Sequence, residues 1–203
     1  MSKINRIFGN DDKREGPYLY TRKQIKTNQS DMKKTLLILA ATATLAVSCT
    51  NAQLQSRIEA LENRLELKNL VDTFSVLADV KDTDTQGLLF TEDGSMKTVV
   101  NGQVVFSIDG RQNIVNACAG YLALFDTVWH SNGQQTVELI DAENATGISY
   151  CTVILIGRNL QTGKMERLEE GFRYHDTYTK KNGTWQIAVR ESEVLWAKTE
   201  TIE

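Results

Sequence analysis

The sequence predicts an α+β fold, because helical periodicity fills its first part and strand signals fill its last. Apolar residues recur at helical spacing through residues 53–80 and again through 111–125. From residue 134 onward, alternating runs are divided by turn residues with no helix between them. That order argues a mainly antiparallel sheet built as a meander, not alternating βαβ units. Asn101-Gly102 and Asn182-Gly183 each stand between β-rich runs and mark tight hairpins.

Taken in order, residues 1–31 are polar, lack apolar periodicity and hold the single proline, Pro17. They read as a disordered extension or a misplaced start. Residues 32–49 read as a secretory signal: Met32-Lys33-Lys34 is basic, and the uncharged run that follows ends in small residues before Cys49. The run is shorter than the ~20 residues of a comfortable membrane span. Leu45-Ala46-Val47-Ser48-Cys49 resembles the bacterial lipobox, with Ala46 where leucine is usual. That resemblance implies lipidation at Cys49 and membrane attachment through lipid alone. The alternative is cleavage after Ala52, which leaves a free periplasmic protein. Either way, the expected location is the bacterial cell envelope.

Residues 50–66 read as a spacer or stalk helix, in which Leu54, Ile58, Leu61 and Leu65 step by four, three and four. The stripe is expected to widen through Leu70, Val71, Phe74 and Leu77 as the helix packs onto a domain at 67–199. A short helix at 86–90 and the turn Thr91-Glu92-Asp93-Gly94 lead to a hairpin of 96–100 with 103–108. Helix 111–125 carries Ile114, Val115, Cys118, Tyr121, Leu122 and Phe125 close to one face. Strands are expected at 134–140, 145–157, 165–179 and 184–196. The stretch 148–156 is apolar on both faces, with Ile148, Tyr150, Ile154 and Ile156 opposite Cys151, Val153 and Leu155. Both faces should be covered, one of them by a cavity roof or by a second copy in a homodimer.

Charge excludes one class of partner. Residues 1–34 carry nine Lys/Arg against four Asp/Glu, residues 35–49 carry none, and 50–203 hold 14 basic against 22 acidic groups. An acidic folded part argues against nucleic acid, whose phosphates need clustered Lys and Arg. Two histidines without close Cys or His neighbours make no metal site, and neither a phosphate loop nor a serine nucleophile elbow is present. No cofactor is expected. Cys118 and Cys151 could pair in an exported protein or remain buried thiols.

The candidate chemistry lies in Asp79, which ends the amphipathic stretch Leu67 onward, and His130, which opens Trp129-His130-Ser131-Asn132-Gly133 as a loop leading into a strand. A carboxylate that orients an imidazole fixes its tautomer and stabilises its protonated form. Asp79 should raise the His130 pKa unless burial opposes it. Trp129, Phe74 and Tyr121 could form an apolar wall, and His175 is either a further pocket residue or a surface strand histidine.

The order of elements, with Leu88-Leu89-Phe90-Thr91-Glu92-Asp93-Gly94, His130 to Asp141, Arg173-Tyr174-His175-Asp176 and Gly183-Thr184-Trp185-Gln186-Ile187, resembles the SnoaL-like branch of the nuclear-transport-factor-2-like (cystatin-like) fold. The resemblance covers roughly residues 67–190. It implies a cone of curved sheet with about three helices around a pocket, a helix-end aspartate paired with a histidine before the third strand, and dehydratase, isomerase or cyclase chemistry. Asp79 and His130 match those two positions. The tyrosine often found five residues before the aspartate is Phe74 here, which removes a phenolic hydroxyl. Phe74, Tyr121, Trp129, Tyr150 and His175 are the candidate substrate-binding residues for a hydrophobic small molecule. The alternative is a non-catalytic ligand-binding or dimerisation module.

Overall fold

A computed structural model describes residues 17–202, and side chains for 28–38 and 51–202. Most of the expected N-terminal extension and the side chain of Cys49 lie outside the described residues. The chain divides into two compact units, Met1–Arg57 and Ile58–Glu203. In the first, the chain is helical from residue 17, and Met32, Leu36, Leu37 and Ile38 are exposed. Among the described residues no helix is long and apolar enough to cross a membrane.

The elements are α1 (Pro17–Asp79), α2 (Thr83–Gly87), β1 (Phe90–Val100), β2 (Gln103–Asp109), α3 (Arg111–Leu122), β3 (Thr127–Leu139), β4 (Asn144–Arg158), β5 (Met165–Lys181) and β6 (Thr184–Thr201). The six strands form one mixed sheet in the order β2-β1-β6-β5-β4-β3. Strands β3 to β6 and the β1–β2 hairpin are antiparallel, while β1 lies parallel to β6. Both Asn-Gly turns form with positive φ at both residues, 51° and 76° at Asn101 and Gly102, and 51° and 79° at Asn182 and Gly183. That conformation matches the right-handed twist of the flanking strands.

Within the second unit the helix does not widen its apolar stripe but changes sides. Ile58, Leu61 and Leu65 are exposed, whereas Leu67, Leu70, Val71 and Phe74 are buried. Asn63, one turn before Leu67, accepts hydrogen bonds from Lys180 Nζ (2.8 Å) and Trp185 Nε1 (3.0 Å). At about 3.6 residues per turn, the exposed and docked sets occupy opposite sides of the helix.

The core holds Leu67, Val71, Phe90, Ile114 and Ile187, all at 1% exposure or less. Burying each such side chain contributes roughly 1.5–3 kcal/mol. A second cluster, around Val128, Cys151, Val153, Leu155 and Tyr174, lies under the opposite end of the sheet's inner face. Strand alternation selects these members: Cys151, Val153 and Leu155 face inward, while Tyr150, Ile154 and Ile156 face outward and are only half-buried.

Candidate functional site

Helix α1 ends in a Schellman turn. The Asp82 amide donates to Leu77 O (2.9 Å) and the Lys81 amide to Ala78 O (3.0 Å), with Lys81 left-handed at φ 58°. A non-glycine residue there costs about 1–2 kcal/mol. The Lys81 ammonium offsets part of that cost by donating to Phe125 O. The turn makes Asp79 the last residue of α1 and carries the chain away immediately afterwards.

His130 lies within β3 instead of in a loop, because the strand starts at Thr127 and pairs from there with β4. Its inward positions are Val128, His130 and Asn132. Two of the three are polar, which hides the alternation that identifies a half-buried strand. A bulge between Asn132 and Gln135 follows directly.

The two residues meet: His130 Nδ1 lies 2.7 Å from Asp79 Oδ1, with the His130 side chain 8% exposed and that of Asp79 27%. With a carboxylate at Nδ1, the neutral ring carries its proton there and leaves Nε2 as an open base. Burial lowers the His130 pKa below 6.5, outweighing the hydrogen bond and charge of Asp79 that raise it, and Arg190 lowers it further. Burial therefore decides the direction here. Below pH 6.5 an unfolded chain binds this proton more readily than the folded one. The contribution of neutral His130 to stability is thus present above 6.5 and lost as pH falls through the folded value.

Residues not anticipated from sequence hold α1 against β3. Ser75 Oγ donates to Asn132 Oδ1 (3.0 Å), and Asn132 Nδ2 donates to Asp72 Oδ1 (3.0 Å). Asp72, Ser75 and Asp79 step along one helix face by three and four, so this clamp sets the register of Asp79 against His130.

His130 lines a cavity of about 550 Å³ bounded by Phe74 and Ala78 of α1, Cys118 and Tyr121 of α3, and Val153 and Phe172 of the sheet. Phe74 and Tyr121 thus lie at the cavity with His130. Trp129, Tyr150 and His175 do not, since alternation turns each to the outer face of the sheet. Trp129 is 47% exposed there, Tyr150 lies opposite Arg173, and His175 Nε2 lies 3.2 Å from Glu193 Oε2. Cys118 and Cys151 are free thiols, both pushed up to about 11 by burial.

Behind the cavity wall sits a second group missed from sequence. Arg190 is fully buried and donates from Nε to Asp176 Oδ1 (2.9 Å) and from Nη2 to Oδ2 (2.7 Å). Its guanidinium lies 4.2 Å from the Phe74 ring centroid and 4.5 Å from that of Tyr174. Tyr178 OH donates to Asp176 Oδ2 (2.8 Å). Phe74 thus presents a ring face to Arg190 where the family often has a tyrosine. The detectable signal was Asp176, which shares an inward strand face with Tyr174 and Tyr178; a carboxylate so placed requires a cationic partner. Among the described residues no three His, Cys, Asp or Glu side chains are grouped to hold a metal.

Several solved structures share this fold. A Novosphingobium aromaticivorans protein assigned as a scytalone dehydratase superposes with TM-score 0.58 at 20% identity, covering 71% of this chain and 92% of its own. A hexachlorocyclohexane dehydrochlorinase from Novosphingobium barchaimii gives 0.58 at 13% identity, with 70% and 93% covered. An NTF2-like protein with a cystatin-like fold from Novosphingobium aromaticivorans gives 0.54 at 24%, with 70% and 88% covered. No curated protein matches the sequence. The SnoaL-like domain profile matches residues 59–191, and the chain belongs to the SnoaL-like domain family.

Proposed function

We propose that the domain is a cofactor-independent lyase of the dehydratase or isomerase kind, acting on a small hydrophobic molecule. His130 Nε2 removes a proton beside an electron-withdrawing group, and Asp79 fixes the ring and stabilises the imidazolium that forms. The carrying observation is the 2.7 Å contact between the two at the wall of a largely apolar cavity. A dry wall strengthens the interactions that hold the developing charge. Two structural relatives bear the names of eliminations, one of water and one of hydrogen chloride, which agrees with proton abstraction as the shared step. The test is a panel of enolisable ketones and β-hydroxy or β-halo carbonyl compounds, assayed with the wild-type chain and with His130→Gln. Turnover that requires His130 supports the reading. Binding without turnover overturns it and leaves a non-catalytic ligand-binding module.

We further propose that the protein is exported and held at the bacterial envelope through lipid on Cys49. The basic start at Lys33-Lys34, the uncharged run and the lipobox-like end support this reading. Expression in a bacterial host should give a mature protein that begins at Cys49 and partitions with detergent, and Cys49→Ala should release it. Intact mass placing the N-terminus at Gln53 would overturn lipidation and retain export.

The outer face of the sheet supports a homodimer, since Trp129, Ile148 and Trp196 are exposed there beside half-buried Ile154 and Ile156. Light scattering is expected to give about twice the chain mass, falling to one chain mass in Ile154→Glu. A monomer in the wild type at high micromolar concentration would remove the dimer.

A further inference from the structure

The sheet register sets a second titratable group opposite His130. His130 on β3 pairs with Val153 on β4, and Val153 pairs with Glu170 on β5. All three line the cavity, so they form one row on the same face of the sheet. Two strand spacings separate the backbones of His130 and Glu170 by about 10 Å, which leaves a small molecule room to lie across Val153 between them. Glu169, one residue earlier, faces the other way and meets Arg167 at 2.9 Å. Glu170 has no hydrogen bond or ion pair to any described residue. Burial among apolar walls raises its pKa above the usual carboxyl value, and its charge in turn acts on the hydroxyl of Tyr121, across the cavity on α3, which burial pushes up to about 12. Burial thus favours the protonated carboxyl more than it would in an exposed glutamate, and that form has one proton to give.

We propose that Glu170 is the general acid of this site and that the substrate is a small apolar β-hydroxy carbonyl compound, which loses water. The proposal rests on the proton-abstraction reading above. His130 Nε2 takes the proton next to the carbonyl, and the electron pair of that C–H bond becomes the new C=C bond. The C–O bond breaks with its electron pair on oxygen, which takes the Glu170 proton and departs as water. The imidazolium and the carboxylate then return to their starting states by proton exchange with solvent. Hydroxide is a poor leaving group and needs that proton, whereas chloride does not.

Glu170→Gln keeps size and a donor but has no proton to transfer. Turnover of a β-hydroxy ketone should fall about 10²-fold or more, while the loss on the β-chloro analogue should be at least tenfold smaller. His130→Gln should lower both. Equal losses on the two compounds in Glu170→Gln, or no loss on either, overturn the proposal and leave proton abstraction standing. No turnover of either compound by the wild-type chain overturns the lyase reading and this proposal together. Should Glu170→Gln not fold, the carboxyl ¹³C titration of Glu170 in the wild-type chain decides: a pKa well above 4.5 supports the acid, and titration together with the exposed glutamates overturns it.

Discussion

His130→Gln is expected to lower turnover by about 10²–10⁴-fold, because it removes the base and leaves the cavity in place. The glutamine amide falls near the Nε2 position, so Asp79 Oδ1 loses its Nδ1 donor, but the Asp79 side chain is 27% exposed and water can replace that donor, so the fold should survive. Asp79→Asn should fall within a similar range by a different route. Its amide can donate to Nδ1, which shifts the ring proton to Nε2 and blocks the base. The two substitutions should therefore not be additive, because they disable one unit. Their pH behaviour separates them further. In the wild type the acidic limb of activity lies below 6.5, as burial favours the neutral ring. Asp79 is the group that raises the His130 pKa, through its hydrogen bond and its charge. Asn at that position should move the His130 titration, followed by NMR, to still lower pH while the plateau rate falls. A limb that moves upward, or a double variant that loses the product of the single losses, would show that Asp79 and His130 act independently.

How much of this was legible depends on how local the responsible physics is. The Asn101-Gly102 and Asn182-Gly183 hairpins could be read directly, since φ > 0 at two consecutive residues is a demand these types meet alone. Asp79 as a helix end was legible from the solvated run that follows it. His130 was misplaced into a loop for the reason that makes it useful: a functional strand puts polar residues where a core strand would put apolar ones. The α1 stripe misled differently. Ile58 to Leu65 and Leu67 to Phe74 are both apolar at helical spacing, and only their docking partners, Asn63 with Lys180 and Trp185, reveal that they face opposite ways. The parallel neighbourhood of β1 and β6 joins segments about ninety residues apart, and nothing in either segment's pattern encodes it. Glu170 carried no sequence signal beyond its alternation with Glu169. Its meaning comes from the row it shares with Val153 and His130.

Asp176→Asn is expected to destabilise the fold by about 3–5 kcal/mol, the usual cost of breaking a buried ion pair from one side. Arg190 is 0% exposed and Asp176 3%, so the charge left behind finds no water. Arg190 already has one buried nitrogen, Nη1, without a partner among the described residues, and the substitution weakens its two remaining bonds. Tyr178 OH loses a charged acceptor at the same time, worth a further ~1 kcal/mol. At about 2–4 °C per kcal/mol for a domain of this size, the midpoint should drop by roughly 8–24 °C. Function should follow through geometry. The guanidinium is held between Phe74 and Tyr174, which both line the cavity, so its displacement loosens the wall beside His130. The pair is a costly way to fill that space, and Asp176→Leu with Arg190→Met should recover most of the stability, since two apolar groups of similar volume carry no desolvation cost. Turnover should not recover with it, because the Arg190 charge that lowers the His130 pKa is gone and the two rings have lost the cation they stack on. Thermal melts and turnover measured on the single and double variants check both halves. A double variant as unstable as Asp176→Asn would mean that the ion pair and its hydrogen bonds, not the volume alone, hold this part of the core.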